Sequence, residues 1–199
     1  MSHAFIAARK PLVFILCLLP FVALILDGLR GGLGVNPIET ITHVTGEWAL
    51  RLLLLTLATT PLRIWFGWRW PQPLRRMLGL FAVFYATLHF SVWFIFDQGL
   101  SPALMLADIL ERPYITIGFL AFVLIIPLAA TSTDAMIRRL GGKRWRRLHR
   151  AVYAIAILGV LHYWWLVKAD WSEPAIYAGV LAILLAARWK RTSRAPLKI

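Results

Sequence analysis

"RRLHRAVYAIAILGVLHYWW", Arg146 to Trp165, begins as a cluster of cations, becomes an unbroken apolar run, and holds two histidines, His149 and His162. A bilayer crossing takes about 20 mostly apolar residues, and this stretch supplies the core of one. An imidazole inside such a run costs free energy unless something bonds to it. Five other segments share the apolar character, so six spans are expected at about 11–29, 47–66, 77–96, 113–130, 150–167 and 174–188. Glycine and proline punctuate the connections: "RGGLGVNP" (30–37), "GWRWPQP" (67–73), "DQGLSP" (97–102) and "GG" (141–142). No internal repeat and no low-complexity linker divides the chain. Residues 1–199 therefore read as one all-α domain, an integral membrane bundle of six transmembrane helices.

Composition agrees. Apolar residues make up 60% and charged residues 16%, against about 25% charged in a soluble domain; the mean hydropathy is +0.70. A net charge of +13 invites a nucleic-acid reading, but the positions of the cations exclude it. Of the 22 Lys and Arg, 18 fall at one set of span ends, among them Arg63, Arg69, Arg75, Arg76, Arg138, Arg139 and Arg188. The other set holds only Arg30, Arg51, Arg112 and Lys168, together with eight of the nine acidic residues; Asp134 is the exception. Positive loops stay cytoplasmic, so both termini are expected in the cytoplasm. The single cysteine, Cys17, lies in an apolar run and excludes a disulfide framework. Asp27-Gly28-Leu29-Arg30 makes a poor signal-peptide end, so the first run is expected to be a retained helix.

A helix rises about 1.5 Å per residue. His89 then lies roughly 18 Å along the third span and His162 roughly 19 Å along the fifth, both in the outer half. Two imidazoles facing each other across a bundle are a source of both axial bonds to a haem iron. Each has a small residue three positions earlier, Ala86 and Gly159, which leaves room for a flat macrocycle. His149 sits about 140° around the helix from His162, near the cytoplasmic interface. A second haem at that level would need a partner where the third span offers Arg75, Arg76 and Met77. Arg51 is expected about one turn inside the second span, satisfied by a haem propionate or by Glu47. His43 is expected in the first outer loop, as a plain loop residue or near a cofactor edge or quinone.

The stretches "GGLGVNPIETITHVTGEWALRLLLLTLATTPLR" (31–63), "RRMLGLFAVFYATLHF" (75–90), "RPYITIGFLAF" (112–122), "TSTDAMIRRLGGKRWRRLHRAVY" (131–153) and "LHYWWLVK" (161–168) occur in an order and spacing that resemble the MsrQ family. That family is the haem-containing membrane subunit of a methionine sulfoxide reductase system, within the ferric-reductase-like transmembrane group. The resemblance implies haem b on His89 and His162 with His149 as a further implicated position, an associated FMN, and a bacterial inner-membrane location. It implies electrons drawn from the quinone pool and passed to a periplasmic molybdopterin subunit that reduces methionine sulfoxide in oxidised envelope proteins. The chain itself would be the electron-transfer subunit, with no catalytic nucleophile.

No G-x-G-x-x-G or other phosphate-cradling loop is present. Electrons are therefore expected from quinol or from a separate cytoplasmic flavin reductase. The rival from another class is a cofactor-free transporter or assembly factor with structural or proton-relay histidines. Transporters tend to show repeats and helix breaks at mid-membrane; here Pro20, Pro61 and Pro127 are scattered.

Overall fold

The computed structural model describes residues 3–167 and 169–192, with side chains from 9 to 188 apart from Lys168. Lys168, Arg194, Lys198 and the side chains of Lys190 and Arg191, counted above among the charges, lie outside it, as does the His3 side chain. Among the described residues all regular structure is helical, without strands: α1 (His3–Arg30), α2 (Pro37–Phe66), α3 (Arg75–Val92), α4 (Pro102–Glu111), α5 (Pro113–Ala130), α6 (Asp134–Leu140), α7 (Gly142–Leu148), α8 (Ala151–Leu166) and α9 (Ser172–Thr192). A 3₁₀ turn, Gln72–Leu74, precedes α3, and one π-helical turn, Trp93–Asp97, ends it. Among the described residues four stretches are long and apolar enough to cross a membrane: Arg9–Arg30, Pro37–Phe66, Gln72–Asp97 and Pro113–Ala130.

Two boundaries depart from expectation. The segment 37–46, read as an outer loop carrying His43, is the first part of α2. Its start is chemically marked. Asn36 Oδ1 accepts the Glu39 amide (3.3 Å) and Asn36 Nδ2 donates to Glu39 Oε2 (3.0 Å), with Pro37 at the first helical position. The stretch 102–111, given no structure above, is α4, capped by Ser101 Oγ with Pro102 leading. Both starts are announced by a capping residue followed by proline, but 37–46 is too polar and 102–111 too short to read as part of a span.

α2 is the central element. Leu52, Leu53 and Leu54 are consecutive and all buried, which a helix permits only when neighbours surround it. α3 packs along α2, α8 packs along α5, and α9 and α1 close the sides. Outward, the bundle presents Leu12, Phe14, Ile15, Leu120, Val123 and Ile183. Water would penalise such a surface; hydrocarbon does not.

Side chains from other helices bond into the backbone beside two of the prolines. Pro61 lacks an N–H, so the Leu57 carbonyl four residues earlier has no ladder partner. The Arg188 guanidinium of α9 donates to that carbonyl and lies 5.1 Å from the Tyr153 ring centre. Next to Pro20, the fully buried Tyr85 hydroxyl donates to Cys17 O (2.8 Å) and accepts from Phe21 N (3.1 Å). These two groups are i and i+4 of the α1 ladder, so α3 is stitched into α1. Tyr85→Phe should cost about 1–3 kcal/mol, read as a lower unfolding temperature in detergent. An unchanged temperature would show that the α1 ladder closes on itself without the hydroxyl.

Candidate functional site

Two helix pairs each deliver one histidine. His89, on α3, has Nδ1 at 2.9 Å from Thr42 O on α2. His162, on α8, has Nδ1 at 2.7 Å from Tyr114 O on α5. A carbonyl oxygen can only accept, so both Nδ1 atoms carry the proton and donate it. Each ring is then left with Nε2 as its basic atom, the arrangement in which a backbone carbonyl fixes the tautomer of a ligating imidazole.

One helical turn beyond each carbonyl stands a glycine. A Cβ at Gly46 would lie 3.0 Å from Cε1 and Nδ1 of His89, and one at Gly118 would lie 2.6 Å from Nδ1 of His162. Any side chain at 118 displaces the ring. Carbonyl i and glycine i+4 thus recur on α2 and on α5, each forming a seat for a histidine of the partner helix. Sequence reading passed over these four residues. The signal was a lone glycine inside each helical run, "VTGEW" and "ITIGF", where glycine costs about 1 kcal/mol relative to alanine.

The two imidazole centres are 6.1 Å apart, with ring planes at 80°. Metal–imidazole bonds run about 2.0–2.1 Å, so two rings on one ion, measured centre to centre, span about 6 Å. The separation fits one metal between them. Both rings line a cavity of about 690 Å³ whose walls include Leu50, Leu53, Ala82, Phe90, Phe122 and Ile155, within the size range of cofactor pockets. Ala86 and Gly159 also line it. A Cβ at Gly159 would meet only Leu50 Cδ1 at 3.5 Å, so the protein's own atoms do not demand glycine there.

The lining also has a polar part, with His43, Glu47, Asp97, Gln98, Asp108 and Arg112. Asp108, buried, holds this rim together. It accepts from Trp93 Nε1 (3.0 Å) and Gln98 Nε2 (2.9 Å) and pairs with Arg112 Nε (3.0 Å). These bonds fasten the π turn to α4, and π turns concentrate at functional sites.

Arg51 is not among the cavity-lining residues. Its Nη2 is 2.6 Å from Glu47 Oε2, its Nε donates to Tyr177 OH (2.8 Å), and its guanidinium sits 5.2 Å from the Trp48 ring centre. Of the two partners expected for it, the structure supplies Glu47. His149 is likewise not brought to the other two histidines. It stacks on Trp145 at 3.9 Å, and its Nε2 is 3.0 Å from Thr131 Oγ1. The Thr131 hydroxyl donates to Pro127 O (2.6 Å), so His149 Nε2–H is the donor in that contact. His43 stands on α2 with its ring 3.9 Å from Glu39, at the cavity edge.

A sequence profile for the "Ferric reductase like transmembrane component" matches residues 45–160, more than half of the chain. Among curated relatives, a protein of Ralstonia nicotianae is 55% identical over 178 residues, covering 88% of this chain and 82% of its own length. One of Herminiimonas arsenicoxydans is 53% identical over 191 residues (93% and 88%), and one of Deinococcus radiodurans 50% over 177 (89% and 87%). Each of the three is named as the haem-binding subunit MsrQ of a protein-methionine-sulfoxide reductase. No solved structure gives a significant match.

Proposed function

The chain belongs to the MsrQ family of haem-binding subunits, within the ferric-reductase-like transmembrane group, and from that premise we propose that it is a b-haem electron-transfer subunit. It is a multi-pass membrane protein. The reading extends this to six crossings of the bacterial inner membrane, with α8 and α9 added to the four long apolar helices and both termini cytoplasmic. Electrons come from the quinone pool and go to a periplasmic molybdopterin partner that reduces methionine sulfoxide; a cytoplasmic flavin reductase is the other donor in keeping with the sequence. FMN rests on the family resemblance alone, since the relatives' names mention only haem.

The observation that carries this reading is the pair His89 and His162, 6.1 Å apart, each with Nδ1–H given to a helical carbonyl. Among the described residues no group of three or more His, Cys, Asp or Glu gathers to hold a metal ion. A metal between the two imidazoles would take its remaining donors from outside these residues, and a tetrapyrrole would supply them. When bound, haem supplies a one-electron iron couple. The chain's contribution is to present two Nε2 atoms at fixed tautomer and to keep water out with the aliphatic and aromatic walls. Thr42 O and Tyr114 O, accepting from Nδ1–H, raise the basicity of those nitrogens.

Protein purified from haem-sufficient cells should show a Soret band and, after dithionite, resolved α and β bands. A colourless preparation would favour the cofactor-free rival and end this proposal.

A further inference from the structure

The turn between α2 and α3 holds a cleft of about 630 Å³ lined by Arg63, Ile64, Gly67, Arg69, Gln72 and Pro73. Gly67 makes the turn: its φ of +69° ends α2, with its amide returned to Leu62 O. We propose that this cleft binds the phosphodiester of an anionic phospholipid, with Arg63 and Arg69 as its recognition groups.

Charge imbalance is the first argument. Arg75 is bonded only to neutral oxygens: Thr59 Oγ1 (2.9 Å), Thr60 Oγ1 (2.7 Å) and Gln72 Oε1 (2.7 Å). Arg63 and Arg188 stand close enough to repel it. Gln72 is fixed in turn by donating to Thr59 O. The one carboxylate at this end among the described residues, Asp134, is taken by Arg76 at 2.6 Å. No carboxylate among the described residues pairs with Arg63 or Arg69. Arg63, Arg69 and Arg75 share this corner with no carboxylate among the described residues paired to them, and an anion from outside the chain is the natural counter-charge. Guanidinium is the side chain best shaped to grip phosphate oxygens, through paired N–H donors.

The second argument fixes the anion's source. Trp65, Phe66, Trp68 and Trp70 follow one another with ring centres 6.5, 5.4 and 6.3 Å apart. The first three are exposed, and the Arg9 guanidinium lies 5.0 Å from the Trp70 ring centre. Exposed indoles and cations side by side mark the headgroup level of a bilayer. A cleft at that level meets lipid phosphate before any soluble phosphate. Basic pockets on the cytoplasmic side are where anionic headgroups are held. The inference rests on the membrane orientation above but not on haem.

The test uses the full chain as purified, delipidated in neutral detergent. Phosphatidylglycerol, phosphatidylcholine, inorganic phosphate and FMN are titrated separately and read by native mass spectrometry. Phosphatidylglycerol should give a retained adduct, and Arg63→Gln with Arg69→Gln should weaken it about tenfold. Arg138→Gln with Arg139→Gln, which removes equal charge elsewhere at the same end, should not. Equal weakening by both pairs would reduce the site to diffuse electrostatics and overturn the proposal. Tight binding of FMN or inorganic phosphate with no lipid adduct would overturn it in favour of a soluble ligand. An unchanged unfolding temperature in each variant reports that the bundle is folded and keeps the outcome separate from the haem assignment.

Discussion

His162→Ala should leave the protein without haem, and His89→Ala should do the same. Each substitution removes one of two Nε2 donors that no other His, Cys, Asp or Glu of the described residues joins. One remaining imidazole would hold the haem by a single protein donor. His149→Ala should retain most of the haem, because His149 donates to Thr131 and stacks on Trp145 outside the cavity lining. Haem per protein and the reduced-minus-oxidised spectrum of the three variants decide the matter. If His149→Ala lost haem as completely as the other two, His149 would join the ligand set.

Gly118→Ala should lower haem affinity by about 10–100-fold, the range seen when groups that orient a metal ligand are disturbed. The added methyl would stand 2.6 Å from His162 Nδ1, so the ring must tilt and its 2.7 Å bond to Tyr114 O is lost. Gly46→Ala, with 3.0 Å to His89, should act in the same direction and more weakly. Gly179→Ala on α9 is the matched control. Nothing lies within 4 Å of its Cβ position, so haem should be unaffected and the helix more stable by up to about 1 kcal/mol. Haem titration of apoprotein, with the Soret maximum as a second readout, separates the three. Equal affinity in Gly118→Ala and Gly179→Ala would show that the glycine seat does not position the ligand.

The all-helical character was readable because apolar runs and Gly/Pro breaks are local properties. The equal depth of His89 and His162 was readable too, since the rise of a helix converts position into height. What one sequence does not contain is which helices are neighbours. The pairing of α2 with α3 and of α5 with α8 decides that His89 meets Gly46 and His162 meets Gly118, and no spacing rule connects those numbers. Arg51 illustrates the same limit. Its i−4 partner Glu47 was visible, whereas Tyr177, 126 positions away, was not. The start of α2 was a different kind of oversight: "NPIE" carries a cap, a proline and a returning glutamate, and was passed over because the following residues are too polar for a span.

The two histidine seats are built at different times. α2 and α3 are adjacent in the chain, so the first seat is complete early in biosynthesis. The second waits for α8, whose histidine follows the first by 73 residues. At roughly 5–20 residues per second a ribosome needs several seconds to deliver it. During that interval one imidazole is already in place in the bilayer with its counterpart not yet made, so cofactor capture by both rings is confined to the last stage of insertion.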